Sequence, residues 1–302
     1  MKSPPKTPAL SPIVAGLWRL HEWKLSTSAL AAWVEKAIEL GVTSFDHADI
    51  YGGYTNEALF GQALRSSPGL RARLKIVTKC GIKLMSLARP THQVKSYDSS
   101  REHVLASVDA SLRALQTDHI DVLLMHRPDF LMDPEELALT FEVLRKAGKV
   151  LAFGVSNHSP AQVAMLHRHV PLVTNQIELS PLRMQALVDG SLDQCLDLGL
   201  QPMIWSPLAR GRLFTRNDEQ ATRVRAALCE MAPRYLDTRS GGKVSLATLA
   251  YAWILRHPSR PLPITGSQRI EALREAVAAL TIQMSSDDWY RLWQASMGHE
   301  VA

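Results

Sequence analysis

The chain has 302 residues, 46% hydrophobic and 21% charged, enough to bury one large α/β barrel or two ordinary domains. Its formal net charge of +5 falls short of the concentrated basic stripe that nucleic-acid binding requires, so no nucleic-acid partner is expected. Three cysteines (Cys80, Cys195 and Cys229) without CxxC spacing exclude a disulfide framework, and no segment stays apolar long enough to span a bilayer, which excludes a membrane partner.

The chain opens on MKSPPKTPALSPI, with prolines where a secretory signal needs an unbroken apolar run. With the cysteine usage, this predicts a cytoplasmic protein. Eight short β-rich runs then alternate with longer stretches of helical periodicity. They are VAGLW (14–18), TSFDHA (43–48), KIVTKC (75–80), DVLLMH (121–126), AFGVSN (152–157), VTNQIEL (173–179), PMIWS (202–206) and LPITG (262–266). Between them, SALAAWVEKAIEL, REHVLASVDASLRAL, PEELALTFEVLRKAG, LVDGSLDQCLDLG and SLATLAYAWILRH read as helices. Leu40-Gly41, Ala147-Gly148 and Leu198-Gly199 offer left-handed stops just before a strand. Eight strands with helical crossovers predict an α/β fold, a closed (β/α)8 TIM barrel forming a single domain over 1–302. No GxGxxG follows the first strand, which argues against a Rossmann domain.

Three longer segments follow strand ends: 81–100, 127–134 and 208–243. In a barrel such segments line the catalytic face. The last contains Arg210, Arg212, Arg216, Arg223, Arg225, Arg234 and Arg239, and reads either as a solvated, partly helical flap or as a phosphate-binding segment.

Four strands end in groups that are costly to bury without partners: Asp46, Lys79, His126, and the pair Ser156 and Asn157. Tyr51 follows Asp46 by one short loop. A phenol is a poor acid, with a free pKa of roughly 10, but a nearby ammonium stabilises the phenolate and eases loss of the proton. Lys79 is the candidate ammonium, Asp46 the carboxylate that orients it, and His126 a hydrogen-bond donor for a carbonyl oxygen. Taken singly, each has a structural explanation: an ion pair, a core histidine, a packing aromatic. Their coincidence at strand ends favours chemistry. A competing reading makes Asp46, His47, Asp49 and His126 ligands of a divalent metal, but strand alternation puts Asp46 and His47 on opposite faces, so no metal is expected.

In order along the chain, FDHADIYGGYTNEALFGQAL, IVTKCG, DVLLMHRPD, GKVLAFGVSNHSPAQ, TNQIELSP and WSPLARGRL resemble the signatures of the aldo-keto reductases. The resemblance runs from about Val14 to Leu280 and is closest to bacterial members with DHADIYG and HRPD. It implies NADPH-dependent reduction of aldehydes and ketones by direct hydride transfer, with NADH as the alternative cofactor. The catalytic set then falls on Asp46, Tyr51, Lys79 and His126. Tyr51 is the general acid, Lys79 lowers its pKa with help from Asp46, and His126 orients the carbonyl.

The resemblance further assigns the nicotinamide carboxamide to Ser156, Asn157 and Gln176, and ring stacking to Trp205. It assigns the pyrophosphate to Ser206, Leu208, Gly211 and Arg212, and the adenosine phosphate to Gly266, Ser267 and Arg269. Ala272 stands where the family often has arginine and Ala276 where it usually has asparagine, which loosens the preference for NADPH unless Arg269 or Arg274 compensates. Trp18, Tyr54 and Phe130, with Leu84 and Trp23, are candidates for the substrate pocket and suggest aromatic or aliphatic aldehydes over sugars. The family's habit suggests a monomer. The alternative function is a nucleotide-binding regulatory subunit resembling the potassium-channel β subunits.

Overall fold

The computed structural model describes residues 8–236 and 242–302; the first seven residues of the opening segment and Arg239 lie outside the described residues. The strands in chain order are β1 (Val14–Gly16), β2 (Ser44–Asp46), β3 (Lys75–Cys80), β4 (Ile82–Lys83), β5 (Ser96–Tyr97), β6 (Ile120–Met125), β7 (Val150–Ser156), β8 (Asn175–Glu178), β9 (Met203–Trp205) and β10 (Leu262–Thr265). All but β4 and β5 correspond to the eight predicted runs. They are parallel and close into a barrel in the order β1-β10-β9-β8-β7-β6-β3-β2, with helices around them. Strands β4 and β5 form a separate antiparallel pair inside the segment 81–100. Among the described residues, no helix is long and apolar enough to cross a membrane.

By packing, the chain divides into two compact units, Met1–Gln176 and Ile177–Ala302. In the first, alternation along β2 sends Phe45 toward the helices, where its ring lies 6.4 Å from Trp33 and 5.5 Å from Phe60, and leaves Asp46 for the other face. Every residue of β6 is buried, as a parallel strand covered on both sides requires. The helices begin where a side chain can take an orphan backbone N–H: Ser26, Ser100, Asp133 and Ser159 each cap one, the last in a reciprocal capping box with Gln162. The opposite ends of the strands carry stability rather than chemistry. There the buried Asp121 carboxylate accepts from Ile76 N (2.9 Å) and Arg71 Nη2 (3.0 Å) and pairs with Lys75 Nζ (3.1 Å).

In the second unit, the arginine-rich segment is neither a flap nor a phosphate cradle through most of its length. Residues Glu219–Met231 form a helix packed on Ser286–Met297. Arg223 donates to Ala295 O, Arg225 to Leu213 O and Arg216 O, and Arg234 to Asp288, which also takes the Tyr235 hydroxyl. These guanidinium groups tie chain segments together by capping carbonyls and a nearly buried carboxylate. Trp253 and Trp289 stack at 5.2 Å and each indole N–H donates to the other residue's carbonyl. The predicted helix LVDGSLDQCLDLG starts late, at Ser191, because Gly190 is left-handed (φ 81°). The three predicted glycine stops stand, with φ of 84°, 69° and 65° at Gly41, Gly148 and Gly199.

The tightest approach in the helical layer is at Gly61, where helix Asn56–Ser66 meets Arg101–Leu115. A Cβ there would run into the Ala114 carbonyl oxygen and stand 2.8 Å from Leu115 C. Backbone cannot yield as a side chain can, so Gly61→Ala is expected to cost about 1–3 kcal/mol of stability. Urea unfolding of the variant measures this, and an unchanged midpoint would refute the close approach.

Candidate active site

The first unit brings the four predicted residues together at the C-terminal ends of β2, β3 and β6. Backbone bonds place them: His47 N donates to Val77 O, Asp49 N to Lys79 O and His126 N to Cys80 O, each within 3.0 Å. The turn carrying Tyr51 is clamped from below, as Thr55 N and Asn56 N both donate to Tyr51 O. The Asn56 amide donates to Leu17 O and Trp18 O. Gly52 makes this turn feasible. Its φ is 61°, and a Cβ would stand on the Asn56 amide oxygen.

Lys79 is fully buried and Asp46 is 4% exposed. The ammonium has three N–H donors and all are engaged: with the Asp46 carboxylate (2.8 Å to each oxygen), His47 O (2.6 Å) and Tyr51 Oη (3.1 Å). Tyr51 Oη therefore accepts from Lys79 and keeps its own proton to donate. The His126 ring lies 5.8 Å from that of Tyr51, nearly perpendicular, and its Nδ1 is buried without a partner.

The titration behaviour follows from these contacts and corrects one expectation. Burial pushes the Tyr51 phenol above its ordinary value; Lys79 pulls it back, and Asp46 opposes Lys79 rather than helping it. The lysine thus offsets desolvation instead of producing a net depression. Burial also works against the Lys79 ammonium, but Asp46 and Tyr51 together hold its pKa raised, so it stays charged. His126 is depressed well below the usual histidine range, by burial first and then by Lys79, Arg127 and Lys95. It is a neutral imidazole, suited to donate a hydrogen bond.

Ser156, Asn157 and Gln176 join the same network. Gln176 Nε2 donates to Asp46 Oδ1 (2.7 Å), Ser156 Oγ to Gln176 O (3.0 Å), and Asn157 Nδ2 to Ser156 Oγ (2.7 Å). Asn157 sits at φ 57°, a strained conformation of the kind that gathers at functional sites. A pair of amides beside a hydroxyl is chemically matched to a carboxamide, offering both donors and acceptors, so these residues fit a nicotinamide amide.

Asp46 and His47, two of the ligands in the metal reading, are engaged apart from each other. Asp46 is engaged by Lys79, whereas the His47 ring lies against Phe60 at 4.5 Å. Among the described residues no three His, Cys, Asp or Glu side chains gather as a metal site. The pocket candidates separate. Tyr54 accepts from Leu84 N (2.9 Å) under the Arg89 guanidinium, and Trp23 packs on Trp33 at 4.9 Å. Trp18 and Phe130 are 46% and 87% exposed, Phe130 at the tip of the loop after β6.

In the second unit, Arg210 lies 5.6 Å over the Trp205 ring. Ser206, Ala209, Arg210 and Gly211 all have positive φ, a run of strain that Leu208 and Arg212 border, Arg212 donating to Ala209 O. Following β10 and Gly266, Ser267 Oγ accepts from Arg269 N, and Arg269 heads helix Ile270–Ala278 with no acid in ion-pair reach among the described residues. Arg274 pairs with Glu271, while Ala272 and Ala276 are buried.

Sequence reasoning missed Glu57. It is buried behind the site on helix Asn56–Ser66, accepts from Thr78 Oγ1 (2.6 Å), and is raised in pKa by burial. Its signal was a carboxylate at a position of that helix which faces the strands.

The model of the Aldo/keto reductase family matches residues 12–296. An oxidoreductase of Bacillus subtilis, YcsN, is 47% identical, covering 96% of this chain and 96% of its own length. A 6-dehydroglucose reductase of Agrobacterium fabrum is 40% identical over 97% of this chain and 96% of its own length. The solved glycerol dehydrogenase AKR11B4 of Gluconobacter oxydans shares the fold, with a TM-score of 0.80 at 21% identity, covering 98% of this chain and 95% of that one.

His47 and His158 are held neutral, by burial first, at about 3 and about 4 against an ordinary 6.5. The unfolded chain therefore takes up protons first, so the contribution of these two histidines to stability is complete above pH 6.5 and is lost as pH falls toward 3. His47→Leu should remove one proton from that slope, about 1.4 kcal/mol per pH unit. Denaturant unfolding at stepped pH tests this, and an unchanged acid slope would count against it.

Proposed function

We propose, from the premise that this chain belongs to the aldo/keto reductase family and is an NAD(P)H-dependent oxidoreductase, that it reduces an aldehyde or ketone to the alcohol, with NADPH as reductant and Tyr51 as proton donor. The observation that carries the reading is the Lys79–Tyr51 contact. The phenol oxygen receives an N–H from a permanently charged ammonium while its own proton is uncommitted. Asp46 holds that ammonium in place, and His126, kept neutral by burial, donates to the carbonyl oxygen.

The amides of Asn157 and Gln176 with Ser156 would hold the nicotinamide carboxamide and so select the ring face presented to the substrate. When bound, the cofactor supplies the hydride. Tyr51 would give its proton to the carbonyl oxygen as negative charge develops there. Lys79 then stabilises the phenolate, an effect strongest in the dry interior it occupies. Arg212 and Arg269 are the cations suited to the cofactor's phosphates, and the unpaired Arg269 supports NADPH over NADH.

The relative named for 6-dehydroglucose favours a hydrophilic carbonyl over the aromatic aldehydes first suggested.

The test is NADPH oxidation with a panel of sugar carbonyls and benzaldehydes, run in parallel with NADH. Tyr51→Phe should lower turnover by about two to four powers of ten and leave cofactor binding intact. Asn157→Ala should weaken cofactor binding first. Full activity in Tyr51→Phe would remove it as the acid. Tight NADPH binding without turnover on any carbonyl would favour the regulatory-subunit reading.

A further inference from the structure

The catalytic set is electrically closed. Lys79 is matched by Asp46, and Tyr51 and His126 are held neutral. Two cations of the same unit stand next to it with nothing to match them. Arg127 directly follows His126 and is partly buried. Its one hydrogen bond is a long contact from Nη1 to the His126 carbonyl (3.4 Å), and no carboxylate lies within ion-pair distance of it among the described residues. The nearest acid in sequence, Asp129, is occupied: Oδ2 accepts from Ser99 N (2.9 Å) and Ser99 Oγ (2.7 Å), and Oδ1 from Leu131 N (3.0 Å).

Lys95 comes to the same rim by strand pairing. Tyr97 lies opposite Ile82, Ser96 opposite Lys83, and Asp98 N donates to Gly81 O, one residue beyond the Cys80 carbonyl that anchors His126. The Asp129–Ser99 bonds tie this hairpin to the loop that Arg127 begins. Lys95 is exposed and makes neither an ion pair nor a hydrogen bond among the described residues. The charges of both cations are felt at His126, and that of Arg127 at Tyr51 as well.

A partly desolvated guanidinium without a counter-charge is unfavourable unless a ligand supplies one, and its planar fork suits an oxyanion. We propose that the carbonyl substrate is itself an anion: a carboxylate, sulfonate or phosphate a few bonds from the reacting carbon is bound by Arg127 and supplemented by Lys95. This rests on the reductase reading and narrows its substrate class. Arg127 sits one residue from the imidazole that receives the carbonyl oxygen, so the anion fixes which end of the substrate enters.

The experiment compares 4-carboxybenzaldehyde with its uncharged methyl ester, methyl 4-formylbenzoate, using NADPH and the intact protein. The acid should exceed the ester in kcat/KM by about tenfold or more, with the preference shrinking as salt is added. Arg127→Gln should abolish most of the preference through KM, Arg127→Lys should restore part of it, and Lys95→Gln should reduce it. An ester used as well as the acid by the wild type, or a ratio unchanged in Arg127→Gln, would overturn the proposal.

If neither compound is turned over, the reductase reading fails on this pair and calorimetric binding of the two compounds decides the anion site alone. Tighter binding of the acid, lost in Arg127→Gln, upholds it; equal affinities overturn it.

Discussion

Everything in the site depends on one buried ion pair. An ammonium and a carboxylate taken out of water are tolerable only when their geometry is good and their remaining donors and acceptors are satisfied. Here Lys79 has a partner for each N–H, and Asp46 receives both Lys79 and Gln176. The pair therefore also serves as a junction: through it the Tyr51 phenol on the turn after β2, the amine on β3 and the amides beyond β7 and at β8 are held in one hydrogen-bonded unit. Removing either charge would leave the other stranded in a dry interior.

The balance at Tyr51 shows what the pair does chemically. Burial makes the phenol a weaker acid, and Lys79 returns part of that loss. A site with the phenol but without the ammonium would keep its proton firmly. The same burial that weakens the acid keeps His126 neutral and able to donate. Desolvation is thus the common cause behind the behaviour of both groups, and the fixed charges of Lys79, Arg127 and Lys95 modulate it.

The fold separates stability from chemistry along the strand axis. At one end, the buried Asp121 gathers Arg71, Lys75 and a backbone amide into one cluster of opposite charges. At the other end of the first unit's strands the backbone is less comfortable, with Asn157 left-handed. Side chains at that end keep unpartnered atoms, as His126 Nδ1 does. Strain and unsatisfied polarity are expected where a ligand completes the structure.

Much of this was legible in the amino-acid sequence. Period and glycine placement marked the eight strands and their helical crossovers, because burial on both faces demands apolar runs and a left-handed stop favours glycine. Polar residues at the ends of such runs marked Asp46, Lys79 and His126, since several groups costly to bury coincide there. The tertiary structure decided what pairs with what. Gln176 reaches Asp46 across 130 residues of chain, and most of the arginine-rich segment clamps helices. It also set the sign of the Tyr51 balance, because desolvation depends on surroundings that no local pattern records. Residue types determine which groups must be buried or satisfied, whereas partner choice over long separations is settled only when the folded chain brings them within hydrogen-bonding distance.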